Sequence, residues 1–186
     1  MGIDIILLGI AGVVVLVVLF FVLAYNGLVS LRARVNNAWA QIDVQLTKRY
    51  ELVPNLVETV KGYAKHEKEI FEDVAEARSA WGNAKTVGEK AKADAGFAGA
   101  LKSLIAVAEN YPQLKANENF KLLQEQLDGI ESKIAYARQA YNDSVLDYNT
   151  NIQTVPNVLI AAPLGFTARE YFKAEDAAKE AVKVKF

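Results

Sequence analysis

The sequence predicts an all-α protein: an N-terminal transmembrane helix followed by an up-and-down bundle of three to four long helices. Three observations carry this. One uninterrupted apolar run opens the chain. Behind it, apolar residues recur at steps of three and four along most of the remaining length. Almost nothing in that part alternates with period two, so no sheet is expected.

The apolar run is Ile5–Tyr25, 21 residues without a charge. At about 1.5 Å per residue a helix of that length reaches roughly 32 Å, one hydrocarbon core. It is too long and uniform for an ordinary core helix. Val22-Leu23-Ala24 has the form of a signal cleavage site. However, Met1-Gly2-Ile3-Asp4 is acidic where a secretory signal is basic, and the run exceeds a usual signal core. Residues 1–25 therefore read as an uncleaved signal-anchor. No cationic side chain precedes the run, whereas Arg32, Arg34, Lys48 and Arg49 follow it. The positive-inside tendency places the N-terminus outside and residues 26–186 in the cytoplasm.

Residues 26–153 read as the bundle. A first stripe runs Val35, Trp39, Ile42, Leu46, Arg49, Val53, Val57, Val60, Ala64, Glu67, Phe71, Val74, Arg78 and Trp81, a near-heptad seam. Pro54 interrupts it. The phase is kept across the proline, and Tyr50-Glu51-Leu52-Val53 before it has no Gly or polar turn residue, which favours a kinked continuation over a reversal. Residues 82–96, with Gly82, Gly88 and Gly96, are small, polar and weakly periodic, and read as a loop. Phe97, Leu101, Leu104, Ala108 and Tyr111 form a second seam that Pro112 ends. Asn117 is placed to cap a long helix, 117–153, with Phe120, Leu123, Leu127, Ile130, Ile134, Ala137, Tyr141, Val145, Tyr148 and Ile152 on one face. Short connections predict antiparallel neighbours.

Residues 154–186 form a third part. Val155–Phe166 is apolar and holds two prolines, so it cannot be a long regular helix. The tail Arg169–Phe186 reads as a short helix with a Glu175–Lys179 pair.

Composition removes several classes of function. Lys plus Arg number 21 and Asp plus Glu 22, a formal charge of −1, with no clustered positive face for nucleic acid. There is no cysteine, so thiolate metal sites, disulfides and Cys nucleophiles are absent. The one histidine, His66, excludes a two-histidine metalloprotease helix and reads as an exposed, unspecialised side chain. Gly82-Asn83-Ala84-Lys85-Thr86 lacks the spacing of a phosphate loop and a preceding strand. The five serines have no histidine near in sequence. No cofactor is implied.

Two long stretches carry a family resemblance. One runs from Tyr25-Asn26-Gly27-Leu28-Val29 through Val35–Glu67, with VNNAWAQIDVQLTKRYELVPNLVETVKGYAKHE at its centre. The other is Ala108–Asn149, followed by Val155-Pro156-Asn157-Val158-Leu159-Ile160-Ala161-Ala162-Pro163-Leu164-Gly165-Phe166. Together they resemble the LemA family over roughly residues 25–172. Val155 departs from the bulky aromatic that the family usually places before this proline. The resemblance implies a single-pass protein of the bacterial inner membrane with a LemA-like four-helix bundle. It implies no enzyme activity. One member's part in magnetosome membrane formation makes a membrane-organising role one of its implications.

The most informative chemistry is charge on apolar stripes. Arg49, Glu67 and Arg78 lie on the first seam; Glu131, Arg138, Asn142 and Asn149 recur beside the apolar face of the long helix. Buried charge costs several kcal/mol unless paired and hydrogen-bonded. The expected solution is a structural polar network of interhelical ion pairs and Asn bonds that fixes register. The alternative is a proton-transfer or ligand site built from Glu67, Glu131 and Arg138. Trp39, Trp81, Tyr63, Tyr136 and Tyr148 fall at helical spacing and read as core rather than as a ligand groove. Val158, Leu159, Ile160, Leu164, Phe166 and Phe172 form the candidate interaction surface, too apolar to remain in water. They can fold back on the bundle, meet a neighbouring copy or touch lipid. The reading that follows is a membrane-anchored, non-enzymatic helical scaffold that meets the lipid bilayer and self-associates into homo-oligomers. An adaptor for a membrane protease or envelope-stress system, and a ligand-binding or enzymatic bundle, are the alternatives.

Overall fold

The computed structural model describes residues 2–173, and these are helical with no strand. Six helices follow in order: α1 Gly2–Lys61, α2 Lys68–Asn83, α3 Val87–Ala108, α4 Pro112–Ala116, α5 Glu118–Gln153 and α6 Val158–Ala161. The chain divides into two compact units. Among the described residues, 2–39 with 142–169 make the first, and 40–141 with 170–173 the second.

α1 passes through Pro54 without ending. Proline removes one helical hydrogen bond and crowds the carbonyl four residues earlier. Val53 and Leu56 on either side are fully buried, so packing holds the helix where propensity would break it. The helix ends instead at Gly62, with a turn to Glu67 in which the Tyr63 and Ala64 amides donate to the Val60 carbonyl.

Seven-residue spacing governs both long helices. On α1 it is kept by Leu28, Val35, Ile42, Arg49 and Leu56, none more than 2% exposed. On α5 it is kept by Phe120, Leu127, Ile134, Tyr141 and Tyr148, none more than 5% exposed. Such spacing keeps one face turned to a neighbour. The seam read from the sequence included Val57, which is half-buried; its neighbour Leu56 takes the core position.

In the second unit one apolar cluster draws on five helices. Val53, Leu56 and Val60 come from α1, Val74 from α2, Phe97, Leu101, Leu104 and Ala108 from α3, Leu114 from α4, and Phe120 and Leu127 from α5. The loop expected over residues 82–96 is not one. α2 continues to Asn83, and α3 begins at Val87. Thr86 caps α3: its hydroxyl accepts from the Glu89 amide, and the Glu89 carboxylate accepts from the Thr86 and Lys85 amides. At the start of α5 the Asn117 side chain accepts from the Phe120 amide at 3.0 Å, the cap that the sequence predicts.

In the first unit every described side chain from Ile6 to Leu23 is exposed, and that stretch holds a window of mean hydropathy 3.3. Among the described residues α1 is the one helix long and apolar enough to cross a membrane. Beyond this stretch Leu28 and Val35 of α1 are buried, as are Val145, Tyr148 and Ile152 of α5 and Ile160, Ala161 and Phe166 of the returning segment. That segment turns on Gly165, which alone among the described residues has a positive φ, +74°. The Phe166 amide donates to the Ala161 carbonyl and the Gly165 amide to the Ala162 carbonyl, a Schellman closure. Residues 169–173 are not helical, and the tail pair Glu175–Lys179 lies outside the described residues.

Candidate functional site

The second unit contains a compact ionic layer. Arg49 occupies a core position of α1 and is 1% exposed. Its guanidinium donates to Asp94 of α3 and, at 2.7 Å, to Glu131 of α5. Arg138, seven residues beyond Glu131, holds a terminal nitrogen 3.9 Å from the other Asp94 oxygen. Two cations and two carboxylates thus share one layer across three helices. Aromatic faces cover it: the Arg49 guanidinium lies 5.3 Å from the Phe97 ring centroid and that of Arg138 lies 4.8 Å from Phe172. The Arg49 Nε is buried and has no hydrogen-bond partner among the described residues.

Burial shifts Asp94 upward. Loss of water disfavours its charged form, and this outweighs the pull of Arg49 and Arg138 in the opposite direction. Asp94 is the residue that the sequence reading missed, because it lies in the stretch taken for a loop. A signal was present. Thr86-Val87-Gly88-Glu89 has capping-box spacing, and Asp94 stands three residues before Phe97 on the α3 seam.

The other charged residues of the stripes lie apart from this layer. Glu67 follows the end of α1 and accepts from the Tyr111 hydroxyl at 3.0 Å. That bond holds the Tyr111 proton and raises its pKa. Arg49 and Lys61 are 12 residues apart on α1, and a helical rise of about 1.5 Å per residue puts roughly 18 Å between them. Glu67 lies beyond Lys61. Arg78 of α2 lies 4.0 Å over the Tyr50 ring, which stacks on Trp81 at 4.8 Å. Lys90 pairs with Asp43 and lies 5.2 Å from the Trp81 ring centroid.

Asn149 acts within the first unit. It donates to the Arg169 carbonyl at 2.9 Å and accepts from the Arg169 amide at 2.8 Å, so one side-chain amide pairs with both backbone groups of Arg169. Asn142 is half-buried, one heptad earlier on α5. In the second unit, the Tyr141 hydroxyl donates to the Glu170 carbonyl at 2.8 Å.

The apolar segment is divided. Ile160, Phe166 and Phe172 are buried, whereas Val158, Leu159 and Leu164 are 40%, 73% and 48% exposed. Of the aromatics expected in the core, Trp81 and Tyr148 are buried and Trp39 half-buried, but Tyr63 and Tyr136 are exposed. Tyr136 falls on the outer face of α5, off the stripe of Ile134, Ala137 and Tyr141. His66 is exposed. Among the described residues no group of three His, Cys, Asp or Glu side chains is placed to hold a metal ion.

These features describe an all-α bundle with a candidate N-terminal membrane helix and an interior whose charges face one another. The sequence matches the LemA family over residues 38–186, and the chain belongs to that family. Magnetosome proteins MamQ 2 and MamQ 1 of Paramagnetospirillum magneticum are each 28% identical to it, covering 82% of this chain and 66% of theirs. Magnetosome protein MamQ of Magnetospirillum gryphiswaldense is 26% identical, with the same coverage. The chain therefore spans just under two thirds of the length of these curated relatives.

Proposed function

We propose that the protein is a membrane-anchored, non-enzymatic scaffold that organises the membrane or envelope by self-association. In this reading residues 1–25 are the anchor, 26–153 the helical bundle and 154–186 a docking segment. The anchor holds the chain in the inner membrane, with the N-terminus outside and the bundle in the cytoplasm. The observation that carries the reading is the ionic layer. Arg49, Asp94, Glu131 and Arg138 direct their charges at one another, an arrangement that supports a structural use of the deepest polar groups. The names of the magnetosome relatives support a role at a membrane. Confinement to a bilayer raises effective concentration, which favours association of long amphipathic helices.

Photo-crosslinkers placed in cells at the exposed Leu122 and Leu146 test this reading, with products identified by mass spectrometry. The expected products are crosslinks between copies of this chain. Crosslinks to one membrane protease in their place would support the adaptor reading, and turnover of a small molecule by the purified chain would support an enzyme. Orientation is tested separately on spheroplasts carrying a C-terminal tag. The tag is expected to resist external protease until lysis.

A further inference from the structure

Within the first unit the returning segment sits beside the membrane-proximal end of α1. The Phe166 ring lies 5.8 Å from Tyr25, the last residue of the apolar run, and 5.0 Å from the guanidinium of Arg32. At about 1.5 Å of rise per residue, Tyr25 and Arg32 bracket the first roughly 10 Å beyond the hydrocarbon core. That is the depth of lipid headgroups, where aromatic rings and arginines settle. Next to Phe166 the chain exposes Val155 by 80%, Leu159 by 73%, Leu164 by 48% and Val158 by 40%. From Gln153 to Ala168 it carries no charge at all. Arg32, which lies against Phe166, and the exposed Arg169 border this stretch with positive charge.

We propose that the turn 154–165 is a second membrane contact, a wedge whose Val155, Leu159 and Leu164 enter the acyl boundary beside the anchor. The proposal rests on the anchored reading above. Its occupant is the lipid surface rather than a second copy of the chain, for two reasons. Through Phe166 the segment touches Tyr25, at the end of a helical stretch whose described side chains are all exposed from Ile6 to Leu23. Its flanking arginines, moreover, suit phosphate headgroups. The Schellman closure at Gly165 gives the wedge a fixed shape, because it buries Phe166 while leaving Leu159 and Leu164 outward. A wedge on one side of a single span displaces lipid in one leaflet only.

The full chain has no cysteine, so single introduced cysteines report cleanly. Leu159→Cys and Val155→Cys, each carrying an environment-sensitive fluorophore, are reconstituted in vesicles of equal parts phosphatidylcholine and phosphatidylglycerol. Leu16→Cys marks the anchor and Tyr136→Cys an exposed position of the bundle. Lipids with brominated acyl chains are expected to remove half or more of the emission at 159, 155 and 16, with iodide ineffective there. At 136 the two quenchers are expected to exchange roles. Quenching at 159 and 155 by iodide alone, with 16 still quenched by bromine, overturns the wedge and leaves the anchor standing. Shielding at 159 and 155 from both quenchers means cover by another copy, which also overturns it. Quenching at 16 by iodide alone overturns the anchored reading itself.

Discussion

Arg49 of α1 and Asp94 of α3 stand 45 positions apart in sequence and meet as an ion pair in which both side chains are almost fully buried. Glu131 and Arg138 of α5 complete the layer. Arg49 occupies the heptad position that Ile42 and Leu56 occupy one repeat before and after it. A charge in such a place is costly unless it is paired and hydrogen-bonded, as Arg49 is here.

Replacing Arg49 by Met leaves Asp94 buried beside Phe97 without its main partner. The expected loss is about 3–5 kcal/mol, read by thermal or denaturant unfolding in detergent. Glu131 is 40% exposed on its side chain and returns to water, so it adds little. The double variant Arg49→Met with Asp94→Leu is expected to recover most of the loss. Failure to recover would mean that Arg49 acts mainly through its stem packing.

Two carboxylates of α3 give opposite pH slopes. Glu89 is held below the usual carboxylate range by the amides of Thr86 and Lys85. Its contribution is complete above the unfolded value of about 4.3 and is lost as pH falls through the lower folded value. Asp94 is raised by burial, so the folded state holds its proton more tightly. Its contribution is complete below the unfolded value of about 3.9 and declines as pH rises through the higher folded one. Unfolding measured across acid pH for Glu89→Gln and Asp94→Asn is expected to remove one slope each, of opposite sign. Equal slopes would contradict the assignments.

The Asn149–Arg169 pairing fixes the returning segment to α5. Asn149→Ala forfeits both bonds, a loss of about 0.5–1.5 kcal/mol, because the Arg169 backbone groups left behind regain water. Hydrogen exchange at the Arg169 amide is expected to quicken. Asn149→Asp keeps an acceptor for that amide and loses the donor to the carbonyl, so exchange there is expected to stay slower than in Asn149→Ala.

Gly165 adopts a φ that a side chain resists. There is open space where a Cβ would stand, so strain and not collision sets the cost of Gly165→Ala. The expected loss is about 1–2 kcal/mol, seen as a lower melting temperature and faster exchange at the Phe166 amide. An unchanged melting temperature would mean that the turn reshapes freely.

The helices were legible where apolar periodicity was strong. Five core residues of α5 repeat every seven positions, and its cap was visible in Asn117. The first turns of α3 were not legible, because Gly82, Gly88 and Gly96 weigh against a helix in any local reading. Burial of Ala91, Asp94 and Phe97 on one face overrides them. The consequence reached the site: without α3 at 94, Arg49 had no visible partner. Asn149 was legible as a polar residue on a buried stripe. Its partner was not, since Arg169 presents only backbone, and backbone position leaves no trace in periodicity.

The central claim, that residues 1–25 remain on the chain and fix it in a membrane, has a direct test. Membranes from cells expressing the full chain are washed at alkaline pH, and the intact mass of the protein is measured in pellet and supernatant. The account predicts a pellet-bound polypeptide that retains the whole apolar run. A supernatant polypeptide beginning near Tyr25 would contradict it.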